Sequence, residues 1–225
     1  MTTFPNSPNL LKGALIAFPS QTAVVPTSVI LFQYNPQQVS RSLAQRTEAG
    51  AEQSKSTAQD DAQKTLGPPE ESYFLSILLD ATDYLESPEQ HAIVAAMGLH
   101  PVLAALEMLL YPSTTQVLLT TALSALGVAE LSPQELPLVM LVFGGERVVP
   151  VRLESISVTE EAFDPLLNPI RARVDLSMKV LTYLEQPQGS VGRAAYLTYQ
   201  VRKEVSAALY PTTVVTDVIT QILEA

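Results

Sequence analysis

The stretch from Leu136 to Glu185 constrains the fold more than any other part of the chain, because it carries three consecutive strand signals. An apolar run, Leu138 to Phe143, ends at Gly144-Gly145, a dipeptide that supplies the positive φ of a hairpin turn. A second run, Arg147 to Thr159, returns from that turn. Its phase changes on the way: Val149, Val151 and Leu153 share one parity, Ile156 and Val158 the other. A bulge near Glu154 and Ser155 would absorb the shift. In the third run Ala172, Val174, Leu176, Met178 and Val180 are apolar, while Arg171, Arg173, Asp175, Ser177 and Lys179 are polar. That alternation predicts a strand with one wet face, and the three runs together predict an antiparallel sheet.

The second and third runs are joined by Glu160 to Ile170, which packs Asp164-Pro165 and Asn168-Pro169 around Phe163, Leu166 and Leu167. A residue before proline is held out of the α region, so the connection is stiffened at two points. Its apolar side chains either form an exposed contact surface or fold back as a lid on the end of the sheet. The residues expected to make protein contacts are Phe163, Asp164, Leu166, Leu167 and Asn168 on this connection, Arg171 and Arg173 just after it, and Asn35.

Further strands are predicted at Lys12–Phe18, at Thr27–Tyr34, which Asn35-Pro36 stops, and at 72–83. In the last of these Tyr73, Leu75, Ile77, Leu79 and Ala81 form one apolar face. Residues 37–71 are rich in Gln, Ser, Thr and Ala, and cannot cover the entropy cost of ordering by themselves. They are expected to be a mobile arm that orders against a neighbour, or a plain surface loop. A helical insertion is expected over 87–127. Ser87 caps its first helix, with Pro88 at the first helical position and Gln90 completing a capping box, and Gly98 stops it. His100-Pro101 opens a second helix and Val117 to Leu126 a third. After the Gln186-Pro187-Gln188-Gly189 linker, Val191 to Leu209 reads as an amphipathic helix. Beyond Tyr210-Pro211, residues 212–225 carry a second apolar stripe.

The string LVFGGERVVPVRLESISVTEEAFDPLLNPIRARVDLSMKVL resembles the corresponding segment of a baseplate protein of contractile injection systems, the phage-tail-like particles of bacteria. LFQYNPQQVSRS at 31–42, YFLSILLDATD at 73–83 and GLHPVLAALEMLLYP at 98–112 resemble the same family in the same order, so the likeness covers roughly residues 10 to 184. It implies an α+β, mainly antiparallel fold: a tail-tube-like β-barrel or sandwich over 1–185, with a C-terminal helical extension over 186–225. It also implies a structural role as a hexameric ring joining the spike hub to the inner tube and initiating tube assembly, with tube, spike-hub and baseplate wedge proteins as partners. A tube-capping or wedge-linking role in the same particle is the alternative. The peptidoglycan-binding LysM module that often follows in the family is not recognisable here, which puts wall binding in doubt.

Composition narrows the rest. A net charge of −10 and a pI near 4.6 exclude a nucleic-acid backbone as a natural partner. Without cysteine there is no disulfide, thiolate metal site or cysteine nucleophile. His91 and His100, the two histidines, lack ligand or triad spacing, and no phosphate loop, Gly-x-Ser-x-Gly or His-Glu-x-x-His occurs. No enzyme, metal or cofactor is therefore expected. The absence of Trp and the 6% aromatic content make a polysaccharide-binding module a weak rival. No secretory signal or membrane span is read, so no direct membrane insertion is expected, and the chain is expected in the cytoplasm until it joins a particle.

Overall fold

The computed structural model describes residues 11–46, 67–125 and 135–209. Its seven strands are β1 (Ala14–Phe18), β2 (Ser28–Leu31), β3 (Val39–Ala44), β4 (Glu70–Asp80), β5 (Leu138–Val142), β6 (Val148–Phe163) and β7 (Pro169–Val180). They form one antiparallel sheet in the order β2-β1-β5-β6-β7-β4-β3. Five helices complete the described chain: α1 (Thr82–Leu85), α2 (Ala92–Met97), α3 (His100–Glu107), α4 (Thr114–Ala125) and α5 (Val191–Ala208). The fold is α+β. The sheet formed by the described residues is open, so of the barrel or sandwich that the resemblance implies, a closed barrel is not shown.

The alternation in β7 places its side chains as expected. Ala172, Val174, Leu176, Met178 and Val180 are buried, as are Tyr73, Leu75, Ile77 and Leu79 from β4. Cross-strand partners share a face, so these residues make one apolar surface. Leu103 and Leu106 of α3 and Tyr196 and Tyr199 of α5 cover it. The β5–β6 hairpin turns at Gly144, whose φ of 74° favours glycine, and the Phe143 amide donates to the Arg147 carbonyl across 2.8 Å. The phase change in β6 is met by a register shift between Leu153 and Ser155, the site the pattern demanded.

Three expectations change. Part of the expected arm is ordered: Val39 to Ala44 forms β3 on the outer edge of β4, and β4 begins at Glu70. The backbone of β4 supplies the pairing that the polar side chains do not call for. Residues 47–66, the rest of that arm, lie outside the described residues. Second, Ser87 caps no helix; α1 occupies 82–85, where the strand was expected to continue, and Ser87 to Gln90 is a turn closed by the Gln90 amide on the Ser87 carbonyl. The helix that follows, α2, starts at Ala92. Third, the first helix of the expected C-terminal extension, α5, packs on the sheet of its own chain. Ser190 caps it by accepting from the Arg193 amide, and its two buried tyrosines belong to the core of the sheet.

Between β2 and β3 the chain follows the edge of β4. The Gln33 side chain binds Asp80 twice: Nε2 donates to the Asp80 carbonyl at 2.6 Å, and Oε1 accepts from its amide at 2.8 Å. A residue in a neighbouring antiparallel strand would exchange the same two bonds. One side-chain amide thus finishes the edge where β3 has not yet begun.

Candidate functional site

The β6–β7 connection is a short tip, because β6 runs to Phe163 and β7 resumes at Pro169. Asp164 organises it. Its Oδ1 accepts from the amides of Leu166 (2.7 Å) and Asn168 (2.8 Å), and its Oδ2 from the Asn168 side chain (2.8 Å). Those bonds, the Asn168 side chain first, hold the Asp164 carboxyl below its ordinary value. The turn forces Leu167 to a φ of 67°, a conformation that costs a branched residue and favours glycine. Leu166 and Leu167 end up 79% and 77% exposed, and Phe163 is half exposed. The lid alternative is therefore not what the described chain adopts.

The tip is fixed at its root. Asn168 Nδ2 donates to the Ala96 carbonyl at 3.3 Å, and the Leu99 amide donates to the Pro169 carbonyl at 2.8 Å. Gly98 makes this approach possible, since its φ is 57° and a Cβ there would collide with the Pro169 backbone. Next along β7, Arg171 grips Asp80 Oδ2 through Nε (2.9 Å) and Nη2 (2.8 Å). The Thr82 hydroxyl, the Thr82 amide and Arg171 hold the Asp80 carboxyl below its ordinary value, against the opposing effect of burial. Arg173 pairs with Glu161 at 3.6 Å. Both arginines are thus engaged within the chain, and each keeps an exposed flank.

Asn35 lies elsewhere and has an internal task. Its Oδ1 accepts from the Gly13 amide (2.9 Å) and its Nδ2 donates to the Leu11 carbonyl (2.8 Å), pinning the entry to β1. It meets Arg173 only as a fellow lining residue of a cleft of about 490 Å³, with Ser76 and Leu78. That cleft shares Gln38 and Ser76 with a second groove of about 470 Å³ on the face of the sheet away from the helices. Ser40, Ser76, Ser155, Ser157 and Ser177 line this groove with Asp175 and Phe74. Sequence reading missed this serine surface, although the signal was present: each serine alternates with an apolar neighbour in its strand. Among the described residues no histidine lines this groove, and Asp175 is its one carboxylate. Among the described residues no group of three or more His, Asp or Glu side chains could hold a metal ion, and no helix is long and apolar enough to cross a membrane.

Among the described residues several strand edges lack a neighbour in the sheet, the far end of β4 beyond Leu75 included. β2 and β3 are terminal in the sheet, and β5 pairs with β6 only over Val148 to Val151. From Arg152 to Phe163 the sheet therefore gives β6 a partner on one side only.

A further buried cluster fastens α5 to the sheet. Glu71 of β4, 3% exposed, accepts from the Tyr199 hydroxyl (2.7 Å) and from Lys203 Nζ (2.7 Å). Tyr199 also shares a 2.7 Å hydrogen bond with Tyr73, and Arg41 of β3 stands 3.8 Å from the carboxylate. Burial raises the Glu71 pKa, but Lys203 and Tyr199 outweigh it and hold the group below its ordinary value. Burial first, then the hydrogen bonds with Tyr73 and Glu71, push Tyr199 well up, so it stays a neutral donor.

No protein-family model matches the chain, and no curated protein matches it.

Proposed function

We propose that the chain is a structural ring component at the baseplate end of the inner tube of a contractile injection system, joining spike hub to tube and starting tube assembly. The resemblance in the sequence motivates this reading. The observation that carries it is the uneven cover of the sheet: α3 and the tyrosines of α5 lie on one face, and a small cluster of Phe18, Leu138 and Met140 closes only the β1–β5 end of the other. Among the described residues the rest of that second face holds an open, serine-lined groove, with β2 and β3 unpaired at the sheet's edges. Unpaired edges are liabilities in a free protein, and pairing them between copies removes them. Side-by-side copies would close the sheets into a larger barrel, six copies being the number the resemblance implies. The serine face would then line its interior, a surface of small hydroxyls to which passing cargo has little to adhere.

In this assembly the tip with Phe163, Leu166 and Leu167 contacts the next layer. It is rigid, apolar and exposed, so docking it costs little ordering entropy. The role is structural rather than enzymatic, and needs no cofactor.

The test is the mass of the purified protein in solution, alone and mixed with the tube and spike proteins of the same particle. A small species that enters a ring-sized complex only with those partners is the expected result. A species indifferent to both would overturn the proposal. Replacing Phe163, Leu166 and Leu167 together with Ser should abolish the complex while leaving the circular dichroism of the free chain unchanged. Complex formation at normal yield would remove the tip from the contact.

A further inference from the structure

Helix α5 has two apolar faces, and only one of them is used. Gly192, Tyr196 and Tyr199 are buried against the sheet, and Lys203 continues that face to Glu71. Leu197, Val201, Val205 and Leu209 recur every fourth residue and are 44% to 77% exposed. At about 100° per residue, Val201 lies roughly 160° around the helix from Tyr199, so this stripe points away from the sheet. Nothing among the described residues covers it.

We infer that the stripe is the seat of the chain's own C-terminal segment, residues 212–225, which lies outside the described residues. Val214, Val215, Val218, Ile219, Ile222 and Leu223 fall on one side of a helical projection, and Thr213, Asp217, Thr220 and Glu224 on the other. Such a pattern has a single apolar face to bury, and a helix of that length is marginal in water without a surface to bury it on. Tyr210-Pro211 stands between the stripe and this segment, where proline ends one helix and a short connection can reverse the chain. A segment joined to the end of the stripe meets it at an effective concentration near millimolar, ahead of any free partner. The inference does not depend on the ring reading, because it concerns the free chain.

The lack of native cysteine makes the test direct. Val201→Cys in the full chain places one thiol on the stripe; Leu166→Cys on the exposed tip, in a separate chain, serves as the fast reference. The Val201→Cys thiol should react with a maleimide at least about tenfold more slowly than the reference, the factor expected of a site that must open before it reacts. Adding Ile219→Glu and Ile222→Glu should restore fast labelling at position 201 without changing the rate at 166. Equal rates at 201 and 166 in the otherwise intact chain would overturn the inference, as would slow labelling that the two glutamates do not relieve. Protection that disappears on dilution would also overturn it, because the cover would then be a second copy. Circular dichroism of each variant confirms that the sheet is retained.

Discussion

Helices α3 and α4 follow one another in the chain and are both apolar, yet α3 is in the core and α4 has no buried residue. In α3 the large side chains keep one phase: Leu103 and Leu106 are buried, with Leu99 and Leu109 on either side. In α4 Val117, Leu118 and Leu119 are consecutive and spread around the axis, so no single face collects them. Thr120, Thr121 and Ser124 fold their hydroxyls back onto the carbonyls of Gln116, Val117 and Thr120, which hides the polar groups and leaves the whole helix surface weakly apolar. Apolar content therefore does not decide burial; phase does.

The sharpest way to break this comparison is Leu106→Ala. Leu106 is fully buried, and its loss should cost about 2–5 kcal/mol, read as a lower denaturation midpoint in urea. If Leu106→Ala were silent, α3 would not be a core element. Next in size is Glu71→Gln, which tests whether α5 is docked as firmly as α3. It should cost about 1–3 kcal/mol at neutral pH, since Lys203 and Tyr199 lose their charged acceptor. The sign with pH follows from the depressed pKa: the contribution of Glu71 is complete above the unfolded value of 4.5 and is lost as pH falls through the lower folded value. The gap between the native chain and Glu71→Gln should therefore narrow on acidification, and a gap independent of pH down to acid unfolding would discount the ion pair. Leu167→Gly relieves a left-handed backbone on the bare tip and should raise stability by up to about 1 kcal/mol in the same urea series. Smallest of all, Leu119→Ser on α4 should change stability by less than about 0.5 kcal/mol. A loss like that of Leu106→Ala would mean that α4 is packed in solution.

What the sequence made legible was what local period can encode. The single parity of β7, the phase change at Leu153 and Ser155, and the Gly144 turn each follow from neighbours a few residues apart. The rigid tip was legible for the same reason, since Asp164-Pro165 and Asn168-Pro169 dictate it. Two features had no local signal. β3 is a strand because β4 offers its edge; Val39 and Leu43 alone are too weak to announce it. Glu71 reads as one more charge before a strand, and its partners Tyr199 and Lys203 are 128 and 132 positions away. Asn35 was expected at a protein contact, and what the fold shows of it is two hydrogen bonds at the entry to β1, whose partners lie 22 and 24 positions earlier. Arg171 was chosen from the wet parity of β7, and only the fold reveals its grip on Asp80, 91 positions earlier.

The strand order has a consequence for how the chain comes into being. β7, near the C-terminus, lies between β6 and β4, and β5 lies between β6 and β1. On the ribosome β4 emerges about a hundred residues before its central neighbour exists, and β1 waits longer still for β5. Most of the sheet must therefore assemble after synthesis of β7, and folding should be slow beside that of a helical protein of this size. During that interval the long edges of β4 and β6 are open to other nascent copies, and chaperone supply would govern the yield of folded subunits.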